Sequence, residues 1–220
     1  VLVAHPFYKS NDQTNVMGRG KTHRNRGPEM SRDQLIEEAA RILEQDGIRD
    51  FEQAKRKAAK RLGVRERDLP SNAEIEQALA MRLNLFDNVG QQQRLDSLRR
   101  IADDAMQFLA RFKPALTGDA LSGVVTSHSV IQLQLHAETL EEVLMFLSDA
   151  NVPYELQDVL LRTGKRGEPS PFPCLLISAD GQELELLVLR HDKPTTIYCP
   201  IQLKPMQRAS RSQLLVMMNK

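Results

Sequence analysis

Pro114 divides this 220-residue chain into two kinds of periodicity, and that division limits what it can fold into. Upstream, apolar residues recur at three- and four-residue steps, the signature of helices with one buried stripe. Ser31 with Gln34 forms a capping-box pattern, Leu35, Ile36, Ala39, Ile42 and Leu43 share a face, and Gly47 is a stop, so a helix is expected over about 31–46. Asp50 restarts the pattern through Phe51, Ala54, Ala58 and Leu62 to Gly63. Ser71 with Glu74 opens a third helix through Ile75, Ala78, Leu79, Leu83 and Phe86. A fourth runs from Leu95 through Leu98, Ile101, Ala105, Phe108 and Phe112 to the proline that ends it.

Downstream, the period is two. Residues 121–125 and 130–135 are expected to be strands joined by Thr126–Ser129 into an antiparallel hairpin. A helix follows over 138–150, with Leu140, Val143, Leu144 and Leu147 as its stripe. Strands are expected over 154–161, 172–178 and 183–189, with Asp180-Gly181 as a tight turn between the last two, and a short helix over 210–218. The fold class is therefore α+β: an N-terminal helical region, then a mostly antiparallel or mixed sheet with packed helices. The corresponding division is a basic tail over 1–29, a helical region over 30–90 and an α+β domain over 91–220.

Charge is unevenly distributed: +4 over 1–70, −6 over 71–162 and +3 over 163–220. This permits anionic partners at either end, but it lacks the dense single-sign footprint of a dedicated nucleic-acid binder. Residues 1–29 carry no sustained periodicity and end in a basic, glycine-containing run, so disorder is the first expectation and a basic arm the alternative. Met30 directly precedes the first helix start and is a candidate natural initiator, which would make the upstream segment an extension. Cys174 and Cys199 belong to no metal-ligand spacing and read as reduced thiols. No apolar run approaches the roughly 20 residues needed to span a bilayer, so a cytoplasmic protein is expected.

The segment TGDALSGVVTSHSVIQLQLHA, Thr117 to Ala137, carries the chemical information. A glycine turn leads through a short loop to an alternating strand, preceded by a long helix and followed by a helix and further strands. This order resembles the core of the nucleotidyltransferase fold shared with DNA polymerase beta, over about residues 94–189. The segments DFEQAKRKAAKRLGV and KPMQRAS also resemble a group of uncharacterised bacterial proteins described as nucleotidyltransferase-like. In the family, the strand after the turn carries two Asp that chelate the metal holding a nucleoside triphosphate, and a third carboxylate sits on a later strand. Here Gln132 and Gln134 stand in the two Asp positions, and Asp119 follows Gly118 where the family usually has Ser.

The resemblance thus implies the fold with a degenerate metal site. Mg²⁺ wants hard anionic oxygens in near-octahedral array, and two carboxamides supply neutral carbonyls only. No resident metal or cofactor is expected. The leading expectation is a non-catalytic or regulatory module that binds a nucleotide or another phosphorylated ligand through Gly118, Gln132, Gln134, Lys165, Arg166 and Arg208. The alternative is an active transferase in which Glu183, Glu185 and Asp119 form a rearranged carboxylate set, with Mg²⁺ and nucleotide as its requirements.

A third reading, nucleic-acid association, rests on the second helix, whose surface is crowded by Lys55, Arg56, Lys57, Lys60 and Arg61. Its first turn, Asp-Phe-Glu-Gln, would meet phosphate badly, so a solvated basic face is preferred. The histidines offer little: eight extended residues separate His128 from His136 by roughly 26 Å, too far for a shared metal. Ser127, His128 and Ser129 alternate faces and form no local nucleophile–base pair.

Overall fold

A computed structural model of the chain describes residues 32–64, 69–86, 88–164, 168–191, 196–199 and 204–219. The tail over 1–29, Met30, and the loop cations Lys165 and Arg166 lie outside the described residues. The first three helices are α1 (Arg32–Gln45), α2 (Phe51–Leu62) and α3 (Asn72–Phe86). Their stripes meet in one cluster built on Leu35, Ile42, Ala54, Ala58, Ile75 and Leu83, each almost fully removed from water. Local chemistry sets their ends. Asp50 accepts the Glu52 N–H at 2.9 Å, and Gly63 closes α2 in the left-handed conformation. Ser71 and Glu74 exchange the expected reciprocal bonds, Ser71 N–H to the Glu74 carboxylate at 2.7 Å and Glu74 N–H to Ser71 Oγ at 3.3 Å.

The second cluster is larger and lies under the sheet. Its elements are α4 (Asn88–Phe108), β1 (Ala115–Thr117), a one-turn α5 (Asp119–Ser122), β2 (Ile131–Ala137), α6 (Leu140–Asp149), β3 (Glu155–Leu161), β4 (Ser170–Ala179), β5 (Gln182–Arg190) and α7 (Arg211–Met218). The five strands are ordered β1-β2-β5-β4-β3; β2 and β5 run parallel and the other neighbours antiparallel. Alternation along β2 and β5 sends Ile131, Leu133, Leu135, Leu184, Leu186 and Val188 to the face that packs on α4, α6 and α7. Each such aliphatic side chain contributes about 1.5–3 kcal/mol when fully buried. The α+β class and mixed sheet agree with the periodicity of the sequence. Among the described residues, no helix is long and apolar enough to cross a membrane.

Three local features differ from expectation. Residues 121–125 are not a strand: Asp119–Ser122 is a helical turn, and the partner of β2 is the earlier segment Ala115–Thr117. The cause lies in Gly118 (φ 69°, ψ −150°) and Gly123 (φ 86°), which turn the chain sharply before and after it. Two α4 side chains hold this turn in place, Arg99 Nε donating to Ala120 O at 3.0 Å and Gln91 Nε2 to Gly123 O at 2.9 Å. The fourth helix ends at Phe108, with a 3-10 turn over Ala110–Phe112, because Lys113 adopts φ 48° ahead of Pro114. Finally, β4 begins before Phe172 and includes Pro171 and Pro173. Both lie where β4 pairs with β3 alone, since the β5 ladder starts at Cys174, so neither missing N–H interrupts the β4–β5 ladder.

The Asp180-Gly181 turn is as expected. Both residues have positive φ, 51° and 75°, as a two-residue hairpin of the twist-matched type requires.

Candidate functional site

The face of the sheet turned away from α4, α6 and α7 carries the other half of the alternation, and part of it is covered by a small apolar cluster of Leu187, Leu189 and Ile197. The register pairs Thr117 with Gln132 and Gln132 with Glu185, which aligns three polar side chains across β1, β2 and β5. Gln132 Nε2 donates to Glu185 Oε2 at 2.7 Å. Gly118 comes so close to this pair that a β-carbon there would run into the Gln132 carboxamide. Glycine is required twice at this position, by its backbone conformation and by that approach.

The loop between α1 and α2 completes the site from above. Arg49 reaches from it to Glu185 Oε1 at 3.3 Å and to Glu183 Oε1 at 3.4 Å. The loop itself rests on the β2 approach, where Gly47 packs against the His128 ring. Glu185 is mostly covered, whereas Arg49 and Glu183 keep about half of their side-chain surface in water, at 47% and 48%. Water therefore screens the Arg49–Glu183 contact more than the Arg49–Glu185 contact.

Asp119 stands beside this group and is held by the Ser129 hydroxyl, which donates to its carboxylate. Ser129 is itself buried, and its Oγ also accepts the Thr126 N–H at 3.0 Å. The surrounding shell of protein pushes the Asp119 carboxyl above its usual range; the Ser129 hydrogen bond and the Arg49 charge oppose the shift, and the Glu185 charge adds to it. Asp119 as a residue remains open to solvent, so only part of the desolvation survives screening. A serine, a carboxylate and a carboxylate–guanidinium pair thus converge on the end of β2 and β5 that follows the glycine turn.

The other expected residues are distributed differently. Gln134 shares the face of Gln132, but it is 3% exposed and its amide donates to Met206 Sδ at 3.2 Å, so Met206 caps it. Arg208 is exposed and precedes Ala209, whose backbone pairs with Leu116 of β1 at 2.8 and 2.9 Å. On α2, Lys57 and Arg61 are engaged by Asp46 at 2.9 and 3.1 Å, Arg61 also reaches Glu38 at 2.9 Å, and buried Lys55 pairs with Glu52 at 2.6 Å. Arg56 and Lys60 are the members of that set left exposed without a charged partner among the described residues. This leaves a short basic surface rather than a stripe.

His128 and Ser129 form no nucleophile–base pair, since Ser129 is committed to Asp119. Burial pushes the Cys174 thiol up to about 12, which makes it unreactive at neutral pH. No cluster of three or more metal-ligating side chains occurs among the described residues.

Arg49 is the residue that sequence reasoning missed. It lies 134 positions from Glu183, and an arginine in a helix-connecting loop carries no local mark of such a contact. No protein-family model matches the chain, and no curated protein is similar enough to it to count as a relative.

Proposed function

We propose that this chain is a nucleotidyltransferase-fold protein without metal-dependent catalysis, serving as a binding or regulatory module for a nucleotide or another phosphorylated ligand. The observation that carries this reading is Arg49 lying against both Glu183 and Glu185, with Gln132 bonded to the latter. A divalent ion needs those anionic oxygens for itself. Here a guanidinium compensates part of their charge and a carboxamide occupies one of their lone pairs. An entering metal would have to break both contacts and leave the Arg49 charge unpaired.

The same geometry supports an anionic ligand. A guanidinium has five N–H donors, and the Glu contacts engage only some of them. The half-exposed Arg49 therefore has donors left for a phosphate contact. Both cysteines are free thiols, consistent with a cytoplasmic setting for this reading.

A thermal-shift series with the four ribonucleoside triphosphates, with and without Mg²⁺ or Mn²⁺, tests the proposal. Stabilisation by a nucleotide in the absence of metal, reduced in Arg49→Gln, is the expected result. Metal-dependent nucleotide turnover abolished by Glu185→Gln would overturn it in favour of an active transferase. That second reading has its own support in the convergence of Asp119, Glu183 and Glu185 on one cationic group.

A further inference from the structure

The two edges of the five-stranded sheet are finished differently. At one edge, β1 is covered by the segment before α7, through the backbone pairing of Leu116 with Ala209. At the other, β3 is the last strand among the described residues. The Asp180-Gly181 turn fixes which backbone groups of β3 face outward. A two-residue hairpin closes on a bonded pair, here Ala179 with Gln182, and in an antiparallel ladder such pairs recur at every second residue. Ile177 and Leu175 therefore bond to β5, whereas Leu176, Cys174, Phe172 and Ser170 bond to β3, through Glu155, Gln157, Val159 and Leu161. This leaves Leu156, Asp158 and Leu160 with their N–H and C=O groups turned out along the edge. Arg162, next in that series, has the same sense, since its carbonyl accepts the Tyr198 N–H at 2.9 Å.

The side chains at the same three positions share one face and are uncovered. Leu156 stands opposite Leu175 of the large cluster under the helices, yet no residue of β3 belongs to that cluster. Leu156 and Leu160 keep 49% and 39% of their surface in water, and Asp158 between them is exposed, with no charged partner among the described residues. The other face of the strand is occupied, since Val159 and Leu161 pack with Phe172 and Ile197. Free edges are ordinarily blunted by proline or lysine. On β4 that device is present: beyond Cys174, Pro171 and Pro173 remove the donors from its free side. The edge strand β3 reads ELQDVLL and has neither residue.

We propose that the outer edge of β3 is a docking site for an extended segment of a partner protein in which a lysine or arginine stands between two aliphatic residues at alternate positions. Such a segment extends the sheet by one strand. Its backbone meets the outward N–H and C=O groups of Leu156, Asp158 and Leu160, its aliphatic residues cover the two leucines, and its cation pairs with Asp158. A second copy of this chain is a poorer occupant. Antiparallel pairing that matches Leu156 of one copy with Leu160 of the other sets Asp158 against Asp158, and like charges directly opposite one another are destabilising. The edge is two strands from β5, roughly 10 Å at the usual strand spacing, so the assignment does not depend on the Arg49 site.

Titration of the full chain with the acetylated and amidated peptide TVTKTVT, followed by two-dimensional amide NMR at low ionic strength with TVTETVT as the reference, tests this assignment. The expected result is saturable binding of TVTKTVT with the largest shifts at the amides of Leu156, Asp158 and Leu160, and binding of TVTETVT at least fivefold weaker. Asp158→Lys should reverse the preference, so that TVTETVT binds at least fivefold more tightly than TVTKTVT. Asp158→Asn is a milder variant should the reversal fold poorly, and it should bring the two peptides within twofold of each other. No saturable binding, shifts centred elsewhere, or a preference indifferent to residue 158 would overturn the proposal. So would a dimer of the free chain that Leu156→Thr/Leu160→Thr dissociates, since the edge would then belong to a second copy. Arg49→Gln should leave peptide binding unchanged, which separates its failure from that of the function proposed above.

Discussion

The two ends of the β2–β5 seam use the same pair of parallel strands for different arrangements of charge. At the glycine-turn end, Glu183 and Glu185 would repel each other, and Arg49 from a distant loop offsets part of that repulsion within the chain. At the far end, Lys113 Nζ meets His191 Nε2 at 3.2 Å, the His136 ring lies beside that of His191, and Glu138 stands on the wall of the neighbouring cleft. The first end sets a cation among carboxylates, whereas the second sets a cation against an imidazole. Parallel pairing brings this about: it places both strand starts at one end and both strand exits at the other, so each end draws its charges from different loops.

The largest effect should come from Gly118→Ala, which attacks the packing of the closed end. The alanine must hold a backbone conformation that only glycine occupies readily and push its methyl against a tethered Gln132. A loss of about 2–4 kcal/mol in chemical denaturation is expected. Adding Gln132→Ala should recover the steric part and leave the backbone part. Full recovery would mean that the conformation of residue 118 carries no strain.

Next is Arg49→Ala, which exposes the repulsion that Arg49 suppresses. Because Glu185 is mostly covered while Arg49 is half in water, about 1 kcal/mol of destabilisation is expected, falling as salt rises. If the variant is unaffected at low salt, the ion pair does not hold the α1–α2 loop to the sheet.

Asp119→Asn should act in the opposite direction. A carboxyl whose folded pKa lies above its unfolded value takes up protons more readily in the folded state, so folding is disfavoured as pH rises through that range. Removing the charge should therefore stabilise the protein at pH 7 by less than about 1 kcal/mol, provided the carboxamide oxygen keeps the Ser129 bond. A clear loss of stability would show that the ionised carboxylate is needed structurally, for instance by Arg49.

The smallest effect lies outside the seam and calibrates it. Arg41, and then Arg61, hold the Glu38 carboxyl at about 2, and Arg32 with Ser71 does the same for Glu74. Each begins from an ordinary value of 4.5, so the unfolded chain binds the proton first on acidification. Their contribution is present above pH 4.5 and lost as pH falls towards 2, an effect moderated by the exposure of these groups to water. Helix-region amides followed by hydrogen exchange across this window should open before those of the sheet; simultaneous opening would mean that the two apolar clusters unfold as one unit.

The sequence was most legible where structure is local. The Ser71–Glu74 box, the Asp180-Gly181 turn and the stripes of α1 to α4 each follow from residues within a few positions of one another. The misassigned strand over 121–125 shows the limit of that reading. Its run of small and apolar residues suits either a strand or a turn, and α4, through Arg99 and Gln91, fixes it as a turn followed by a loop. Gly118, Gln132 and Glu185 were singled out in the sequence, and the register brings them together. Gln134 was singled out with them, but it lies under Met206, because a side chain's strand face does not determine what covers it.

By itself, then, the order of residues determined the helices, their caps, the change to strands after Pro114 and the two sheet faces, since these depend on periods and turn chemistry read within one segment. Charge compensation was decided by the tertiary fold. Arg49 meets Glu183 and Glu185 from the α1–α2 loop, and Lys113 meets His191 across 78 positions. Electrostatic energy depends on distance in space, and a chain folded into this mixed sheet makes neighbours of residues that have no relation along the sequence.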